Sequence, residues 1–157
     1  MSRLRKYLLF FAGCFLATGA WAAQPSLTVG SASGQAGAAV NLPISFDPGT
    51  TSVASLQFNL TLPRAISTVS VAGGAILTSA SKSIRTNLIG NTWTFVIFAI
   101  NQNTIASGTL LTAQVKIASG TAARTLNVPI SGIVYSDPKG QSIPPGASKG
   151  GKLAIIH

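Results

Sequence analysis

The amino-acid sequence predicts an all-β sandwich. Three observations carry that prediction: several short runs alternate apolar and polar residues, turn signals recur about every ten residues, and no amphipathic helix of useful length is present. Leu27-Thr28-Val29 opens the series, and the Gly-rich stretch from Ser31 to Ala38 reads as a turn. Val40, Leu42, Ile44 and Phe46 alternate with Asn41, Pro43 and Ser45, the period of a half-buried strand. Pro43 has no N–H for a ladder, which predicts an edge or bulged strand. Asp47-Pro48-Gly49 is a turn. Leu56, Phe58, Leu60 and Leu62 alternate with Gln57, Asn59 and Thr61, the clearest alternation in the chain, and Pro63 stops it.

Ile66 to Val71 and Ile84 to Ile89 are weaker strand candidates around the Gly73-Gly74 turn and a Ser-rich loop. Trp93 to Ile100 is apolar on both faces, as expected of a strand in the middle of a packed structure. Leu111, Ala113, Val115 and Ile117 alternate with Thr112, Gln114 and Lys116. Leu126 to Ile130 and Ile133 to Tyr135 follow, then the turn Asp137-Pro138-Lys139-Gly140 and a loop from Gly146 to Lys152. Leu153 to Ile156 is the last strand, making roughly nine or ten.

The first 22 residues read as a signal peptide. Arg3, Arg5 and Lys6 form a basic start, Tyr7 to Ala17 is an uncharged apolar run, and Ala20-Trp21-Ala22 supplies the small residues that frame a cut after Ala22. The run is too short to cross a bilayer of roughly 30 Å, so the expectation is an exported protein, extracellular or periplasmic. A rival reading takes Ala12-Gly13-Cys14 as a lipoprotein box with a lipid anchor at Cys14, but Phe11 stands where Leu is usual. The remaining 135 residues, 23–157, form one sandwich domain, with eight basic residues against Asp47 and Asp137, a net charge of +6. They contain no Cys, which fits an exported fold held by its core.

The residue inventory disfavours catalysis. The single His is His157, and two Asp ninety positions apart give no acid–base pair. Asp47 and Asp137 both precede Pro, where a carboxylate ordinarily bonds its own turn backbone. Two carboxylates are few for calcium, which takes six to eight oxygen ligands, and zinc lacks its His and Cys. Ser79-Ala80-Ser81-Lys82 spells Ser-x-x-Lys, but in a Ser-rich loop without the helix that motif opens. The expectation is therefore no catalytic residues, no metal and no cofactor. The basic residues form no run interleaved with aromatics, which argues against nucleic acid and leaves attraction to an acidic partner or surface.

Binding remains. Of the aromatics beyond residue 22, only Trp93, at its strand's start, and Tyr135 are candidates for a surface position and for stacking on a sugar ring. They support an alternative reading as a carbohydrate-binding module that assists polysaccharide breakdown by other enzymes.

At the level of motifs the chain resembles bacterial cohesin domains. The resemblance rests on Leu27-Thr28-Val29-Gly30, Ser33-Gly34 and Gly37, Val40 to Phe46, Val53 to Thr61, Phe98 to Ile105, Gly108 to Val115, and Ser136 to Gly140 through Ile143-Pro144. It implies a nine-stranded jelly roll related to cellulose-binding sandwiches, and a non-catalytic module that adheres to a dockerin-like protein module or associates with an extracellular polysaccharide. In cohesins the partner docks on one flat sheet face to which the third strand contributes. The matching outward positions are Gln57, Asn59 and Thr61, with Thr112, Gln114 and Lys116 as a possible second row. Where cohesins usually read Tyr-Asp-Pro after the third strand, this chain has Leu62-Pro63-Arg64. Set beside a single-domain length, the resemblance implies a module standing alone rather than a scaffold of several.

Overall fold

The computed structural model describes residues 21–157. The expected signal segment therefore lies outside the described residues except for its last two, and Cys14 lies wholly outside them. The chain forms the expected all-β sandwich, with twelve strands and one short helix among the described residues. The strands are β1 (Ser26–Val29), β2 (Ala32–Gln35), β3 (Ala39–Asp47), β4 (Ser55–Thr61), β5 (Ile66–Gly73), β6 (Ser83–Ile89), β7 (Thr92–Phe98), β8 (Gly108–Ile117), β9 (Arg124–Val128), β10 (Ile130–Ser136), β11 (Ser142–Ile143) and β12 (Gly151–Ile156). Helix α1 (Ala75–Ser79) bridges β5 and β6.

A four-stranded sheet runs β1-β3-β8-β5 and a five-stranded sheet runs β11-β10-β4-β7-β6, while β2-β12-β9 form a third, smaller sheet. The alternation read from the sequence explains the layering. Val40, Leu42, Ile44 and Phe46 of β3, with Leu111, Ala113, Val115 and Ile117 of β8, are buried. They share one core with Leu56, Phe58 and Leu60 of β4 and Trp93, Phe95 and Ile97 of β7. Phe58 and Phe95, register partners on adjacent strands, stack with centroids 4.8 Å apart. No charged or polar residue is buried among those described.

Two strands exceed the roughly nine or ten that alternation suggests. β2 lies within the Ser31–Ala38 stretch read as a turn, and β11 is two residues long. Each is too short and too poor in apolar residues for a period to register. Of the two alternatives Pro43 predicts, β3 takes the bulged one, being an inner strand between β1 and β8 rather than an edge. Pro43 O accepts the Gly30 N–H at 2.7 Å. On an antiparallel strand the N and C=O of one residue point the same way, so the missing donor faces the side where β1 has already ended. No bond to β8 is lost there, and a bulge follows between Ile44 and Ser45.

The two ends of the domain are tied together. Thr28 bridges Lys149 in parallel, the Val29 N–H donates to Lys149 O at 2.8 Å, and β2 runs parallel to β12. No helix among the described residues is long and apolar enough to cross a membrane.

Candidate docking face

The outer face of the five-stranded sheet gathers Gln57, Asn59 and Thr61 with residues from three neighbouring strands. Because each antiparallel register is known, the face reads as rows. Val134, Gln57, Val96 and Arg85 form one row across β10, β4, β7 and β6. On one side Ser136 pairs with Ser55 and Phe98 with Ser83, and on the other Ser131, Asn59, Thr94 and Asn87 form a row. Gln57 is exposed, while Asn59 and Thr61 are half-buried. Thr94 donates its hydroxyl to Asn59 Oδ1 at 2.8 Å, which fixes the amide.

A bulge in β10 between Ser131 and Val134 makes room for that amide. At its centre Gly132 has φ of 59°, and a Cβ there would lie 2.5 Å from Asn59 Nδ2. The bulge also stands Val134 outward, 49% exposed, across from Gln57. Phe98 is 38% exposed and Val96 half-buried on the same face. These side chains with Gln57, Ser55 and Ser136 line a shallow depression. Arg85 is the single charged residue on the five strands of this sheet.

The apolar and cationic members of this face, Val96, Phe98, Val134 and Arg85, are what the sequence reading missed. The signal is the two-faced apolarity of Trp93 to Ile100, which by itself predicts burial on both sides. β7 is indeed an inner strand of its sheet, but nothing among the described residues covers its outer face.

The expected second row lies elsewhere. Thr112, Gln114 and Lys116 belong to β8, in the four-stranded sheet, and point away from the core on the opposite side of the sandwich. Gln114 is engaged locally, donating Nε2 to Asn41 Oδ1 at 3.3 Å and accepting the Ser70 hydroxyl at 3.4 Å. The two rows therefore cannot contact one side of a partner.

Trp93 and Tyr135 require a correction as sugar-stacking candidates. Trp93 is 4% exposed against Phe95, with ring centroids 4.7 Å apart. Tyr135 is fully buried, its ring 5.9 Å from Phe46. Both occupy inward positions of their strands' alternation, so neither offers a ring face to solvent. Burial pushes the Tyr135 phenol up to about 12, opposed in smaller part by the nearby Ser148 hydroxyl. By geometry the Tyr135 hydroxyl has no hydrogen-bond partner, and Ser148 Oγ accepts the Leu27 N–H at 3.0 Å.

The remaining polar candidates are taken up by local structure. Asp47 Oδ1 accepts the Gly49 N–H at 2.9 Å, and Asp137 Oδ1 accepts the Lys139 and Gln141 N–H groups, each at 2.8 Å. No group of three His, Cys, Asp or Glu residues is assembled among the described residues. Ser79 ends α1 rather than opening it. Lys82 donates to Asn101 Oδ1 at 2.7 Å, and partial burial lowers its pKa. Asn101 also donates to Ala80 O and Ser81 O, so this loop serves as a clasp over the end of α1.

A family model for the cohesin domain matches residues 25–153. No curated protein matches the sequence. Among solved structures, a non-cellulosomal cohesin from the archaeon Archaeoglobus fulgidus superposes with a TM-score of 0.73 at 19% identity, covering 86% of this chain and 93% of that one. The Coh-OlpC–Doc435 type I cohesin–dockerin complex from Clostridium thermocellum gives 0.72 at 20% identity, over 84% and 93%. The Coh-OlpA–Doc918 complex from the same organism gives 0.75 at 14%, over 85% and 100%. The sandwich shares the jelly-roll architecture of these structures, and with a family model spanning most of its length the chain belongs to the cohesin domain family.

Proposed function

We propose that the chain is a non-catalytic docking module that binds a dockerin-like protein on the outer face of β10, β4, β7 and β6. Two of the solved cohesins it resembles are held in type I complexes with dockerins. The observation that carries the reading is the cluster of exposed Phe98 and Val134 around Val96, set among Gln57, Asn59 and Arg85 on one rigid sheet. Binding energy in interfaces concentrates in apolar anchors surrounded by polar groups that exclude water, and a sheet holds such groups in place without an ordering cost. The face carries Arg85 and no carboxylate, so its partner presents an acidic group there. Residues 1–22 direct export, with a cut after Ala22, so the partner is met outside the cytoplasm.

The test is capture of a partner from the source cell's own extract and medium, its identification, and titration of the purified pair. Phe98→Ala, truncating an anchor worth about 2 kcal/mol, weakens binding roughly 30-fold. Arg85→Glu slows association and weakens the salt dependence, while Lys116→Glu on the opposite sheet leaves affinity unchanged. Loss of binding in Lys116→Glu with Phe98→Ala intact would put the contact on the other face.

A further inference from the structure

The sandwich leaves several strand edges open, and the chain protects all of them but one. β11 is two residues long, and the part of β10 that it leaves uncovered is broken by the bulge between Ser131 and Val134. β1 is covered by its bonds to Lys149. β5 is broken by a bulge between Thr68 and Ser70 that turns Val69 out to solvent. β2 has four residues, and β9 carries Arg124 and stops at Pro129. Short length, bulges, charge and proline are the usual means of blunting an edge. β6 has neither short length, bulge nor proline. It is seven residues long, pairs with β7 in unbroken register, and contains no Pro or Lys. Its one charge, Arg85, lies on the sheet's outer face.

The hairpin fixes which backbone groups of β6 are free. Ile89 and Thr92 close a two-residue turn in which Gly90 has φ of 61°, the conformation of a II′ hairpin. The closing pair is hydrogen-bonded, and bonded pairs alternate along an antiparallel ladder. Ser83, Arg85, Asn87 and Ile89 therefore bond to β7, while Ile84, Thr86 and Leu88 turn their N–H and C=O groups to the open edge. Among the described residues no loop or side chain satisfies them. Their side chains lie over the core-facing side, opposite Ile97, Phe95 and Trp93, and Leu88 is 45% exposed there.

From this we infer that β6 is a self-association edge whose occupant is β6 of a second copy of this chain, paired antiparallel about a two-fold axis at Thr86. In that register Thr86 meets Thr86, and Ile84 meets Leu88 in both directions. All three pairs are of the hydrogen-bonded kind, each exchanging two bonds, so every free group on both edges is satisfied. A shift by one residue would set bonded groups against free ones. The same register covers Leu88 with the second copy's Ile84. It also sets Arg85 opposite Asn87 rather than opposite the like charge, which would repel. The pairing is continuous with the proposed docking face and joins two such faces edge to edge in one extended sheet, giving a bivalent module. A single pair of edge strands buries less than the roughly 1,200 Å² of a stable interface, so association is weak and reversible, with a dissociation constant above about 1 μM. Each copy is strongly basic, so added salt tightens it.

Sedimentation velocity on the purified protein, from about 1 μM to about 1 mM, reads the result. The expected outcome is a concentration-dependent rise toward twice the monomer mass, stronger at higher salt. Leu88→Lys, at a half-exposed position, abolishes the rise. Thr86→Pro does the same, since its N–H faces the open edge and the ladder to β7 loses nothing; circular dichroism verifies that it stays folded. Wild-type protein that stays monomeric across the range overturns the inference. So does a dimer that persists in either folded variant.

Discussion

Tyr135→Phe is expected to leave the protein as stable or more stable, against the usual direction for a buried tyrosine. The side chain is fully buried and its ring packs on Phe46, but its hydroxyl has no hydrogen-bond partner by geometry, and the neighbouring Ser148 Oγ accepts the Leu27 N–H. A hydroxyl removed from water without a partner costs about 1–3 kcal/mol. Deleting it recovers that cost and leaves the ring contacts, less the dispersion of one oxygen atom and a void of its size. The net expectation is a gain of about 1 kcal/mol, or roughly 3–5 °C in Tm for a domain of this length. Urea unfolding followed through the buried Trp93 measures it, with an unchanged slope m. A second readout comes from alkaline pH. The phenol sits at about 12 in the folded protein against an ordinary value near 10. Below pH 10 both states hold the proton. Between about 10 and 12 the unfolded chain releases it first, so wild-type stability falls as pH rises through that window. The variant lacks that part of the fall. A loss of 1 kcal/mol or more at neutral pH, or an alkaline fall equal to that of the wild type, would refute the account of an unpartnered hydroxyl.

Gly132→Ala is expected to destabilise the fold by about 1–3 kcal/mol, since a Cβ at φ of 59° is strained and would press on the Asn59 amide. Because that amide is held by Thr94, partner binding falls in the same variant, and calorimetry with titration separates the two effects. Intact-mass measurement of the exported protein finds an N-terminus at Ala23, and a species beginning at Cys14 with added acyl mass would establish a lipid anchor instead.

The layering was legible because β3, β4 and β8 alternate over seven or more residues, and a period of two admits one inward face. β2 was not legible, since Ala32-Ser33-Gly34-Gln35 has no large apolar residue and owes its strand state to β12, more than a hundred residues away. The same limit applied to the docking face. Alternation says which residues of β4 point outward, so Gln57, Asn59 and Thr61 were accessible to reasoning. It does not say which strands lie beside β4, so Val134, brought there by a bulge, was out of reach. It also could not separate β4 from β8, whose outward residues look alike but face away from each other. Trp93 and Phe98 show the cost of reading one strand alone: both are apolar, and only the identity of the neighbouring layer decides that the first is covered and the second is not.

The parallel tie between the two ends of the domain sets how it carries mechanical load. If the module is anchored at one end and pulled at the other, β2 is drawn toward its start and β12 toward its finish. The two strands run parallel in register from Ala32 beside Leu153 to Gln35 beside Ile156. Tension therefore slides them past each other, and their bonds must yield together rather than open one after another from an end. The bonds joining Leu27 and Val29 to Lys149 lie on the same path. Such a domain resists force through the height of its unfolding barrier, a kinetic property distinct from equilibrium stability.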